Sequence, residues 1–107
     1  METQDKLFPE KNPIHIKADK FRALTRKMAT TYERKNGDYG DSFGASIRKR
    51  GPLAALIQIE HKFNRLDHII THGLTECNES VLDTFLDLSV YCAIAYMELK
   101  EMNEEKE

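Results

Sequence analysis

Two stretches of this 107-residue chain place side chains in patterns that chemistry could use. Glu79, Asp83 and Asp87 recur every fourth residue, so on a helix three carboxylates line one face. Asp87 lies among Leu86, Leu88, Val90 and Tyr91. A carboxylate in such apolar surroundings must find a cation, a metal ion or several donors. The second stretch is KNGDYGDSF, residues 35–43. Gly37 and Gly40 permit unusual backbone conformations. Asp38 and Asp41 can bond nearby backbone or face a ligand. Tyr39 and Phe43 offer flat faces to a base, and Lys35 and Arg48 could grip phosphates. Such a turn also reads as a plain connector, with Tyr39 and Phe43 plugging the core.

The stripe needs counter-charge, and two sources exist. A divalent cation such as Mg²⁺ takes one or two carboxylates plus substrate phosphates. Lys62 and Arg65 are the protein cations, close to Glu60 on the preceding helix. One structural alternative pairs Arg65 with Asp87. Another makes Asp83 the N3 carboxylate of a capping box opened by Ser80. His61, His68 and His72 share helical spacing but match surface positions as well as a metal pair. Cys77 and Cys92 lack metal-site spacing and read as reduced thiols.

Helices must position these groups. Phe21, Leu24, Met28 and Tyr32 form one apolar stripe over 17–35, closed by Asn36-Gly37. Gly51-Pro52 ends one segment and starts a helix. Along that helix Leu56, Ile59, Phe63, Leu66 and Ile70 form a seam facing another helix, and Gly73 ends it. The last helix, about 78–100, is apolar nearly all round from Phe85 to Met97, FLDLSVYCAIAYM. It is buried at the centre or covered by a second subunit. The pattern predicts an all-α bundle of three to four helices with an ordered Gly/Asp/Tyr loop. Residues 1–16 read as an arm, 17–100 as one domain and 101–107 as a charged tail.

Apolar residues make up 40% of the chain and charged ones 32%, an ordinary globular balance. The net charge of −2 hides an asymmetry. Residues 17–50 carry ten Lys and Arg against four acids, net +6; the remainder carries six against fourteen, net −8. The basic segment suits an anionic partner. An acidic chain without a DNA-binding motif argues against nucleic acid. No uninterrupted apolar run reaches membrane-span length, and the N-terminus lacks the apolar region of a leader. These features predict a cytoplasmic protein.

KNGDYGDSF, then EHKFNR, then DTFLDLSVYC together resemble the nucleotide modification associated domain type 1 family, small helical proteins of phages and prophages. The resemblance implies a nucleotide-related role and covers about residues 17–100. It carries over Lys35, Asp38, Tyr39, Gly40, Ser42, Lys62, Arg65, Asp83 and Asp87, to which Phe43 is added as a ring. The family is distantly similar to all-α nucleotide pyrophosphatases, which oligomerise and hold Mg²⁺ between paired carboxylates on two helices. Here the second helix offers only Glu60, beside Lys62 and Arg65. The first expectation is therefore a nucleotide binder without a cofactor, assembled as a dimer or larger. In a phage it would sequester a host immune-signalling nucleotide. The alternative is a Mg²⁺-dependent pyrophosphohydrolase using Glu60, Asp83 and Asp87.

Overall fold

A computed structural model describes residues 13–39, 41–73 and 79–106, the side chains of residues 38, 39 and 79 excepted. Four α-helices account for nearly all of them: α1 (Pro13–Tyr39), α2 (Ser42–Arg50), α3 (Pro52–His68) and α4 (Glu79–Lys106). A π-helical turn, Ile69–Gly73, continues α3. No strand occurs among the described residues, and the all-α reading holds. Contacts divide the chain into two units, Met1–Glu33 and Arg34–Glu107.

In the first unit, α1 begins at Pro13, a residue suited to a first turn because its missing N–H would be unsatisfied anyway. Phe21 and Leu24 of the expected stripe are exposed, and Met28 is half-buried. Asp19 and Arg22 pair at 3.0 Å one turn apart.

The second unit holds the core. α4 packs against both α2 and α3, and these two pack on each other. Ile47 of α2 is completely buried. Around the core lie Ala55 and Leu66 of α3 and Val81, Val90, Ile94 and Ala95 of α4.

The junction between α2 and α3 turns on Gly51. Its N–H donates to the Ile47 carbonyl at 2.6 Å, with φ 78° and ψ −157°. That region is essentially reserved for glycine. Pro52 then starts α3 at its first position, as the sequence predicts.

Three expectations shift. First, Asn36-Gly37 does not end α1, which runs on to Tyr39. Gly37 keeps a negative φ, and Asn36 is held by a bond from its side-chain amide to Asp41 at 3.2 Å. The helical penalty of one Gly, about 1 kcal/mol, is easily overridden. The expected loop therefore contracts, with Asp41 immediately preceding α2. Second, α3 meets its neighbours along Ala55, Ile59, Lys62 and Leu66, all buried or half-buried. Leu56, Phe63 and Ile70, on the adjoining row of the expected seam, are exposed. Third, α4 continues as helix to Lys106, through most of the expected tail.

Helix α4 is long and apolar enough, by length and composition alone, to cross a membrane, although Asp83 and Asp87 break its apolar run. The core helix of a bundle passes the same test.

Candidate functional site

Asp87 lies about a third of the way along α4 with 31% of its side chain exposed. The apolar residues around it leave the carboxylate few options, and it takes two lysines. Lys62 Nζ, from α3, donates to Oδ2 at 2.9 Å. Lys35 Nζ, from the last turns of α1, donates to Oδ1 at 3.1 Å. Burial pushes the Asp87 carboxyl up, but the bonds from Lys62 and Lys35 outweigh it and hold the group below its ordinary range.

One turn beyond Asp87, Tyr91 lies beneath Lys62, whose Nζ is 5.0 Å from the ring centroid. That distance permits a cation–π contact. Phe43, near the start of α2, meets Tyr91 edge-on with centroids 4.7 Å apart. Lys35, Phe43, Lys62, Asp87 and Tyr91 thus form one cluster drawn from all four helices. Two ammonium groups against one carboxylate leave one positive charge in excess.

Four of the sequence-derived candidates meet here: Lys35, Phe43, Lys62 and Asp87. Arg65 does not reach Asp87, contrary to the salt-bridge alternative. Three residues past Lys62 it sits about 60° round the helix, and it is exposed. Asp83 is exposed one turn before Asp87. The capping-box alternative fails because α4 already includes Ser80, whose carbonyl accepts the Thr84 hydroxyl at 2.8 Å. Ser42 is exposed at the first position of α2. The side chains of Asp38, Tyr39 and Glu79, together with Gly40 and Cys77, lie outside the described residues.

Glu60 is exposed, and Glu60, Asp83 and Asp87 do not converge. Among the described residues no three His, Cys, Asp or Glu side chains gather as a metal cage. Helix geometry explains this: Asp87 turns toward the lysines between α1 and α3, whereas Glu60 and Asp83 face solvent. His68 and His72 stack with centroids 4.9 Å apart, and Thr71 lies 2.8 Å from His72 Nδ1.

Arg48 has a different role from the phosphate grip expected of it. Its Nη1 donates to Glu98 Oε1 at 2.7 Å and its Nη2 to Asp41 Oδ2 at 3.0 Å. The hydrogen bonds it donates to Glu98 and then to Asp41 hold the guanidinium above its ordinary value. Gly44 makes room for this fork. A Cβ there would stand 2.6 Å from Asp41 Oδ1 and 2.8 Å from Glu98 Oε1. A cavity of about 480 Å³ opens beside it, lined by Arg48, Glu98, Glu101, Met102, Glu105 and Lys106. Its three glutamates make it a poor place for a phosphate. It includes none of Lys35, Lys62 or Asp87.

The sequence reading did not single out Tyr91 or Glu98 as site residues. Tyr91 could have been found, since it stands four residues after Asp87 and therefore on the same face. Glu98 sits among apolar residues as Asp87 does, and the same burial argument applied to it would have demanded a cation.

The comparisons bear on the same segment that carries the cluster. No curated protein and no solved structure matches the chain. A family profile described as nucleotide modification associated domain 1 matches residues 35–99, more than half of the chain. That span starts at Lys35 and includes the whole lysine–carboxylate–tyrosine cluster. The chain belongs to the nucleotide modification associated domain 1 family.

Proposed function

We propose that this protein binds a nucleotide at the Lys35–Lys62–Asp87–Tyr91 cluster and performs no chemistry on it. One observation carries the reading. Lysines from two different helices converge on a single carboxylate beside an aromatic ring, with positive charge to spare. A phosphate can take up the unspent hydrogen-bonding capacity of both ammonium groups, because each has three donors and Asp87 uses one. Asp87 holds the two lysines in place before the ligand arrives, which lowers the ordering cost of binding. Arg65, exposed on the flank, extends the positive surface. To this cluster the reading adds, from the sequence alone, Tyr39 as a stacking face and Asp38, Gly40 and Ser42 as ligand contacts. The family's description as nucleotide modification associated supports a nucleotide-related ligand. In this reading a small binder, encoded by a phage and acting in the host cytoplasm, sequesters a signalling nucleotide.

The test is direct. The pure protein is incubated with a panel of mono-, di- and cyclic nucleotides, with and without Mg²⁺. Retained and altered compounds are then identified. Retention of one compound intact, lost in Lys62→Met, is the expected result. Release of pyrophosphate that a chelator abolishes would replace binding with Mg²⁺-dependent hydrolysis. Indifference to every nucleotide would remove both readings.

A further inference from the structure

The second unit leaves one face of α4 bare. Leu82, Phe85, Ser89, Cys92, Ala93 and Tyr96 recur at helical spacing, and all are exposed. Met97, also exposed, borders the row. The opposite face of α4, with Val81, Thr84, Ile94, Ala95 and Glu98, is buried in the unit. Tyr96 is 66% exposed and Leu82 56%, values expected of polar residues. An apolar row of this length on a soluble domain marks a contact surface.

We propose that this row is the contact surface for a second copy of the same chain, packed antiparallel about a two-fold axis near residue 91. Two features select that occupant. The row is bulky at its ends, with Leu82 and Phe85 at one and Tyr96 and Met97 at the other, and small in the middle. Ser89, Cys92 and Ala93 let two helix axes approach closely. The Ser89 hydroxyl already donates to the Phe85 carbonyl at 2.8 Å, so covering it strands no donor. The second feature is charge. Lys100 continues the row at one end, and Asp83, one residue past Leu82, lies beside it at the other, rather more than a quarter-turn round the helix; both are exposed. An antiparallel pair brings each Lys100 to the end of the row that carries the other copy's Asp83, whereas a parallel pair sets like against like. A surface carrying both halves of its own complement is isologous, as a two-fold dimer requires. The dimer is independent of the nucleotide reading, since assembly is measured without ligand.

Sedimentation velocity of the full chain across the micromolar range tests it. The expected species has twice the 12.4 kDa chain mass. Ala93→Arg should raise the dimer dissociation constant about a hundredfold by placing like charges at the two-fold contact, and Tyr96→Lys should raise it as much by burying an unpaired ammonium group in the apolar row. Circular dichroism should show unchanged helix content, because both positions are exposed in the single chain. Asp83→Lys and Lys100→Asp should each weaken the dimer, and the two together should restore it. A monomer at every concentration would overturn the proposal, whether helix 13–33 of the same chain or nothing covers the row. So would a dimer indifferent to Ala93→Arg and Tyr96→Lys, a charge swap that fails to restore assembly, or a chain that partitions onto lipid vesicles instead of pairing.

Discussion

Replacing Lys62 with Met isolates the charge at the cluster while keeping most of the stem. The substitution removes the 2.9 Å bond to Asp87 and the cation 5.0 Å above Tyr91. An exposed ion pair contributes about 0.2–1 kcal/mol. A hydrogen bond to a charged group shielded from water contributes about 1.5–3 kcal/mol. Lys62 and Asp87 are 27% and 31% exposed, between these limits. Lys35 stays on the other oxygen and offsets part of the loss. The expected cost is therefore about 1–2 kcal/mol at neutral pH, or a Tm lower by roughly 5–15 °C for a domain of this size. The pH dependence supplies the control. Asp87 is held below its ordinary value of 3.8, so its pairing stabilises the fold above that pH. The contribution disappears as pH falls through the depressed value. Urea unfolding of wild type and Lys62→Met between neutral pH and about pH 3 should show a constant gap down to about pH 5 that then closes. Lys35→Met should cost less, about 0.2–1 kcal/mol, because its side chain is 52% exposed. A gap that ignores pH, or a Lys62–Asp87 double-mutant cycle with no coupling, would refute the ion-pair account and leave only stem packing.

Gly51→Ala should destabilise by about 1–3 kcal/mol in chemical denaturation, because its φ of 78° with ψ −157° strains any L-residue with a side chain. Ile47→Ala should cost about 2–5 kcal/mol by the same measurement, since the side chain is completely buried at the junction of three helices. Arg48→Gln should lower the Tm more than Arg22→Gln, because it strands Glu98, which is nearly buried, whereas Asp19 stays in water. Adding Glu98→Gln should recover part of that loss, and an unchanged Tm in the single variant would show the fork to be incidental.

Local signals that need only a few neighbouring residues were legible in the sequence. Gly51-Pro52 marked a helix start because a ring without an N–H fits only there. The lone Asp87 in an apolar run announced a buried counter-charge, and the structure supplies two lysines. Which cation would answer was not legible, because Lys62 and Arg65 share a helix face and only the packing of α3 on α4 chooses between them. The end of α1 was misread because Asn-Gly is a weak stop. The long-range fork of Asp41, Arg48 and Glu98 spans fifty residues and lies beyond any spacing rule. The same fork explains why Asp41 precedes α2 without capping it by its side chain: its carboxylate is spent on Arg48 and Asn36.

Helix α1 crosses the boundary between the two units without a break, and Lys35 lies just beyond that boundary. Dissecting the protein at the seam would leave Arg34–Tyr39 as a stub of about a turn and a half at 3.6 residues per turn. Isolated helices shorter than about 12–15 residues are marginal in water. A fragment trimmed to the family-matched span would therefore be expected to fray where Lys35 must stand, while its other three helices remain folded.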